Sequence, residues 1–178
     1  LRFLFAKLID DPEELEWFVT NVVTEEWHFE SDAGRPLAEM LPERKALFPE
    51  HARLIDLYEE RFLETLAAPV AGTHVLVEQL AERKIAQFAL SNFSAEYWQR
   101  FRPTAPVFDH FTDCVISGEE KRVKPDPALY EIVERRSGLS AQDLFFIDDQ
   151  QDNIEADRAR GWQGHVFVDA AALEADLI

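Results

Sequence analysis

Apolar positions recur at helical intervals through the first third of the chain and then change character. Leu15, Phe18, Val19 and Val22 fall on one helical face behind the start signal Asp11-Pro12-Glu13-Glu14. Asp11 suits the N-cap and Pro12 the first helical position, where its missing N–H is not needed. Leu54, Tyr58, Phe62 and Leu66 repeat every four residues and predict a helix with a single apolar stripe. Between them Pro36 to Phe48 reads as helix, interrupted at Pro42 and ended before Pro49. No strand pattern occurs in residues 1–68, so this segment is predicted to be an all-helical cap domain.

From Pro69 onward short apolar runs alternate with helical segments. Ile85–Leu90, Cys114–Ile116, Leu144–Ile147 and His165–Val168 have strand length. Helices are predicted around Val75–Leu80, from Ser94, from Asp126 to Arg136, from Asp152 to Arg160 with Gly161 as the stop, and from Ala171 to Ile178. Runs that are apolar throughout belong in a parallel sheet covered on both faces. Right-handed crossovers then give a doubly wound α/β core over residues 69–178, with the helical cap before it.

Composition narrows the setting. With 47% hydrophobic and 12% aromatic residues, the 178-residue chain is neither disordered nor fibrous. A formal net charge of −17 repels nucleic-acid phosphates and anionic membrane surfaces, so neither is an expected partner. An acidic surface is compatible with a cation requirement, but solubility accounts for it better. Cys114 stands alone, which excludes an internal disulfide framework and a cysteine metal site. No apolar run approaches the roughly 18 residues of a membrane span, and Leu1–Ile9 lacks the flanks of a signal peptide. The expectation is a soluble, cytoplasmic protein.

In an open α/β sheet, ligands sit beyond the carboxyl ends of the strands, and the unusual polar residues of this chain cluster there. Ser91 and Asn92 follow Leu90, with a helix start at Ser94. That is either an anion site beside a helix N-terminus or a plain turn. Asp148 and Asp149 follow Phe145-Phe146-Ile147. Two neighbouring carboxylates ending a buried strand each raise the other's pKa, and a hard cation such as Mg²⁺ would relieve them. Capping by Asp149 or Asp152 accounts for one acid but not for the pair. Lys124 lies in Val123-Lys124-Pro125-Asp126-Pro127, where two prolines stiffen the approach. A lysine held in this way can neutralise charge developing on a phosphate.

The segments Leu90-Ser91-Asn92, Val123 to Pro127 and Phe145 to Asn153 resemble, in order and spacing, motifs II, III and IV of the haloacid dehalogenase superfamily. Val115 to Glu119, Asp152 to Ala156 and the cap residues Glu26-Trp27 and Asp32 to Arg35 add to the likeness, which points to phosphatase-like members with a helical cap. The resemblance implies that an aspartate ending the first core strand forms an aspartyl-phosphate. A second aspartate two residues later would act as general acid and base, with Mg²⁺ clamping the transferring group. Carried over by position, Ser91 and the Asn92 backbone would hold the phosphoryl oxygens and Lys124 would neutralise charge. Asp149 would be a direct metal ligand, Asp148 a direct or water-mediated one, and Asn153 would orient the site. Trp27 and Arg35 are candidate cap contributions to substrate binding.

Motif I, with the nucleophile, does not occur in these 178 residues. Its strand is expected upstream of Leu1, lying between the strands at Ile85–Leu90 and Leu144–Ile147, and without it catalysis is not expected. The leading expectation is a Mg²⁺-dependent hydrolase of a small phosphomonoester, with sugar phosphates among the candidates. The alternatives are a metal-independent 2-haloacid dehalogenase acting on a halogenated substrate, and a non-catalytic protein that uses the fold for binding.

Overall fold

A computed structural model describes residues 1–66 and 68–177. The chain opens with five helices: α1 (Arg2–Phe5), α2 (Pro12–Asn21), α3 (Glu25–Asp32), α4 (Leu37–Leu47) and α5 (Ala52–Arg61). A 3₁₀ turn at Phe62–Thr65 follows them. Among the described residues, no strand precedes Phe88. Helix α2 starts where the sequence puts it, because the Asp11 carboxylate accepts the Glu13 N–H at 2.8 Å. Thr24 caps α3 in the same way, accepting the Trp27 N–H at 3.0 Å.

One expectation is corrected: α4 runs straight through Pro42. A proline there removes a single hydrogen bond to the carbonyl four residues back, that of Ala38. Both Pro42 and Ala38 are exposed, so water can take the freed carbonyl.

The second part comprises α6 (Thr73–Glu82), β1 (Phe88–Ser91), α7 (Ala95–Phe101), β2 (Asp113–Ile116), α8 (Ser117–Glu120) and α9 (Pro127–Ser137). It ends with β3 (Phe145–Asp148), α10 (Gln151–Ala159), β4 (Gln163–Val166) and α11 (Ala170–Leu177). All four strands differ from the sequence reading at one or both limits, most at β1 and β4. β1 begins at Phe88 because the chain first turns through Lys84 at φ 60. β4 closes at Val166, leaving Val168 76% exposed beyond the ladder.

All pairing is parallel. β1 lies beside β2 in the register Phe88↔Asp113 to Ser91↔Ile116, and β3 beside β4 from Phe145↔Gln163 to Asp148↔Val166. The strands form two separate pairs, and β1 is not hydrogen-bonded to β3. The sequence reading expected strands covered on both faces. Instead β1 is half-buried along its whole length and Phe145 is 40% exposed.

Two apolar clusters hold the chain together. One contains Leu4, Phe5, Phe18, Val22, Trp27, Met40, Ile55, Tyr58 and Phe62 from the helical part, together with Tyr97 from α7. Phe62 and Tyr97 stack with ring centroids 4.0 Å apart, so the cap and the α/β part share one core. Burying such a ring contributes roughly 1.5–3 kcal/mol. The other cluster packs Leu129, Tyr130 and Val133 of α9 and Ile154 of α10 against Val115 and Phe146, with Trp162 at its rim.

Candidate functional site

The carboxyl ends of β1 and β3 are joined by one side chain. The Lys124 ammonium donates to the Leu90 carbonyl at 2.9 Å and to Asp148 Oδ2 at 2.6 Å. Both charged side chains are nearly out of water, at 10% and 6% exposure.

Two features fix the lysine. Asn92 grips its main chain from both sides, with Oδ1 accepting the Lys124 N–H at 2.7 Å and Nδ2 donating to the Lys124 carbonyl at 3.1 Å. Two residues on, Asp126 caps α9 by accepting the Ala128 N–H at 2.9 Å, with Pro127 at the first helical position. The loop is thereby pinned at both ends.

The adjacent acids part company. Successive side chains at a strand end point to opposite sides, and Asp148 turns inward while Asp149 is exposed. Asp148 Oδ2 takes the lysine, and Oδ1 accepts the Gln150 N–H at 2.8 Å and Asn153 Nδ2 at 2.9 Å. Burial alone would raise the Asp148 carboxyl, but the hydrogen bonds from Lys124 and Asn153 and the ammonium charge outweigh it. They hold the carboxyl below its usual range. Asn153 is itself buried, and its carbonyl accepts the Tyr130 hydroxyl at 3.0 Å. Among the described residues, Asp149 receives only the Gln150 side-chain amide, at 3.2 Å.

This donor set bears on a cation. Both Asp148 oxygens are occupied by protein donors, which makes that residue a partner for Lys124. Asp149 offers a free carboxylate of the kind a hard cation takes as one ligand among several. Among the described residues, no three His, Cys, Asp or Glu side chains converge on one point.

Thus Ser91, Asn92, Lys124, Asp148, Asp149 and Asn153 are assembled around the ends of β1 and β3. Trp27 and Arg35 are not tied into this constellation by any contact. Trp27 is buried against Tyr58, with ring centroids 5.1 Å apart, beneath the Arg44 guanidinium. The Arg35 guanidinium is held by Glu30 at 2.5 Å and by Glu43. An indole committed to the core and a guanidinium committed to two carboxylates have little left for a substrate.

Sequence reasoning passed over two features at the junction of cap and core. Ser117, wholly buried at the start of α8, donates from Oγ to the Asp32 carbonyl at 2.5 Å and accepts the Phe93 N–H at 2.9 Å. Close by, His28 Nδ1 lies 2.7 Å from the Tyr58 hydroxyl, and its Nε2 is 3.7 Å from Asp32. Burial pushes the His28 imidazole down to about 4 and the Asp32 carboxyl up to about 7. The i, i+4 spacing of His28 and Asp32 on α3 was the available signal for that pair.

Comparison with known proteins now adds to this geometry. The family model of haloacid dehalogenase-like hydrolases matches residues 23–165. The sesquiterpene phosphatase astK of Aspergillus oryzae is 29% identical over 109 residues, which is 61% of this chain and 56% of that protein. The match therefore spans about half the length of this curated relative. A HAD family enzyme of Bacteroides thetaiotaomicron, solved with magnesium and inorganic phosphate, superposes with a TM-score of 0.71. It is 22% identical and covers 97% of this chain and 88% of its own. The L-2-haloacid dehalogenase of Xanthobacter autotrophicus gives a TM-score of 0.60 at 16% identity, over 98% of this chain and 75% of its own. At those identities the two structures speak for the fold alone.

Proposed function

The chain belongs to the haloacid dehalogenase-like hydrolases, and on that premise we propose that it is the cap and most of the core of a Mg²⁺-dependent phosphatase. Its substrate in this reading is a small phosphomonoester. The observation that carries it is the Lys124 ammonium held between the Leu90 carbonyl and Asp148, with Asn92 clamped to its main chain. That arrangement keeps a desolvated cation beside Ser91 and Asn92, where a phosphoryl group would lie.

In this proposal Ser91 Oγ and the Asn92 main chain bind phosphoryl oxygens, and Lys124 balances their charge in a setting that water screens weakly. Asp148 and Asn153 orient the lysine, and Asp149 offers a ligand for Mg²⁺. When bound, the cation would neutralise charge on the transferring group. The curated relative's phosphatase activity and the Bacteroides enzyme's magnesium and phosphate support the same reading. The helical part is the element that would select the leaving group.

We place the aspartate nucleophile on a further parallel strand between β1 and β3, supplied by chain outside these 178 residues. The reason is local: among the described residues β1 is paired only with β2 and β3 only with β4, and two apolar strand edges left open are a liability for any protein.

The test is a phosphatase screen on the full-length gene product, with and without Mg²⁺, across sugar and prenyl phosphates, set beside residues 1–178 alone. Hydrolysis that needs Mg²⁺ and is absent from residues 1–178 is expected. Halide release from 2-haloacids that survives EDTA would install the dehalogenase reading instead. No turnover by the full-length product would leave binding as its role.

A further inference from the structure

The residue after the anion loop is gripped by a short helix that the proposed chemistry does not use. Phe93 follows Ser91-Asn92, and both of its main-chain polar groups are taken by the start of α8. Its N–H goes to Ser117 Oγ at 2.9 Å, and its carbonyl receives the Gly118 N–H at 3.1 Å. Ser117 has no exposed surface, so water cannot replace either bond.

A hydroxyl has one proton to give. At Ser117 that proton goes to the Asp32 carbonyl at 2.5 Å, because the alternative acceptor, the Phe93 carbonyl, lies at 3.4 Å. Asp32 is the last residue of α3, and carbonyls in the last turn of a helix lack partners within it. One buried oxygen therefore joins the end of a cap helix to the backbone of the loop that carries Asn92. Asn92 in turn holds Lys124.

The surrounding backbone leaves no room for slack. A Cβ on Gly118 would stand 2.4 Å from the Ala95 nitrogen and 2.8 Å from the Phe93 carbonyl oxygen. On the cap side, Gly34 has φ +92, and a Cβ there would meet the Gly118 carbonyl oxygen at 2.9 Å. Cap turn, α8 and anion loop are stacked main chain against main chain, and the Ser117 hydroxyl is the side-chain bond that crosses all three.

We propose that Ser117 is a positioning residue: its hydroxyl couples the seating of the helical cap to the shape of the Ser91–Asn92 anion loop. The phosphate part of this proposal rests on the phosphatase reading above, while the coupling itself does not. Displacing the cap end of α3 breaks the bond to the Asp32 carbonyl and frees the hydroxyl to turn. The Phe93 N–H then loses its fixed acceptor, and the loop its shape.

The experiment uses the full-length gene product and three substitutions, Ser117→Ala, Ser117→Thr and Gly34→Ala. Amide hydrogen exchange at residues 91–95 and the dissociation constant for inorganic phosphate are read for each. Ser117→Ala is expected to speed Phe93 exchange at least tenfold and to weaken phosphate binding at least tenfold. Ser117→Thr, which keeps the hydroxyl, is expected to restore most of both.

Gly34→Ala is the arm that perturbs from the cap side, because its Cβ would press the cap turn against the Gly118 carbonyl of α8. It is expected to speed Phe93 exchange at least threefold while amides of β3 and β4 keep their protection. Unchanged Phe93 exchange in Gly34→Ala overturns the coupling, even where Ser117→Ala fails to fold. A uniform rise across β3 and β4 also overturns it, by making Ser117 a general structural member. If the unsubstituted protein binds no phosphate, the phosphatase reading falls and the exchange data still decide the coupling.

Discussion

Replacing Lys124 by methionine tests the bond on which the site depends. Methionine keeps much of the length and apolar stem of lysine but removes the charge, leaving Asp148 ionised at 6% exposure with only neutral donors from Asn153 and Gln150. Stripping one partner from a buried pair costs about 3–5 kcal/mol, because the remaining charge is uncompensated. Asp148→Asn alone strands the ammonium and is expected to cost a similar amount. The double variant should lose much less than the sum, since neither charge is then left buried.

Urea unfolding of the full-length gene product at pH 7 measures all four corners of this cycle. A coupling energy of about 2 kcal/mol or more is expected, against the few tenths typical of exposed pairs. The pH dependence has a definite sign. Lys124 and Asn153 hold the folded Asp148 carboxyl below its ordinary value. Its contribution is therefore complete above the ordinary carboxylate range and is lost as pH falls through the depressed folded value. In Lys124→Met, burial is the dominant remaining influence and raises the carboxyl, so that deficit should shrink on acidification. Losses that add to within about 0.5 kcal/mol would show that the two groups are not paired in solution.

Two further carboxyls give predictions of opposite sign. Asp157 has no exposed surface and, among the described residues, neither carboxylate oxygen has a hydrogen-bond partner, and burial pushes it up to about 6. Its penalty should be absent below about pH 4 and complete above pH 6, so Asp157→Ala is expected to raise the unfolding free energy at pH 7.5 by up to about 3 kcal/mol. A variant whose gain is the same at pH 4.5 refutes that account. Asp32→Asn, which removes a carboxyl that burial pushes up to about 7, should flatten the decline in stability between about pH 4 and pH 7. Thermal melts across that range check it, and parallel curves for variant and parent count against it.

The features legible in the sequence were those set by local chemistry. Asp11-Pro12 started a helix, the four-residue stripe through Tyr58 and Phe62 faced the core, and the acids after Ile147 ended a strand. Each follows from residues within a few positions of one another. The continuity of α4 through Pro42 did not, because whether a freed carbonyl is tolerated depends on which side of the helix meets water. Strand limits also shifted where an apolar run continued past the ladder, as at Val168, which is left exposed. At the site, the residue types were readable but their partners were not. Asn92 braces Lys124 across 32 positions of sequence, and Ser117 reaches Asp32 across 85. No periodicity encodes such distances.

The divergence of Asp148 and Asp149 changes what the acid pair means. Read from sequence, two adjacent carboxylates demand a cation because they repel one another. In the folded chain the pleat separates them, and Lys124 with Asn153 satisfies the inner one completely. The inner acid therefore stabilises the lysine whether or not a metal is bound, and only the exposed acid remains for a cation. Under the proposed phosphatase reading, removing Mg²⁺ should then abolish turnover without loosening Lys124, and exchange protection at the Lys124 amide, which donates to Asn92, should be equal with and without Mg²⁺. A lysine loop that became ordered only on adding Mg²⁺ would mean that the cation, and not Asp148, is what holds the site together.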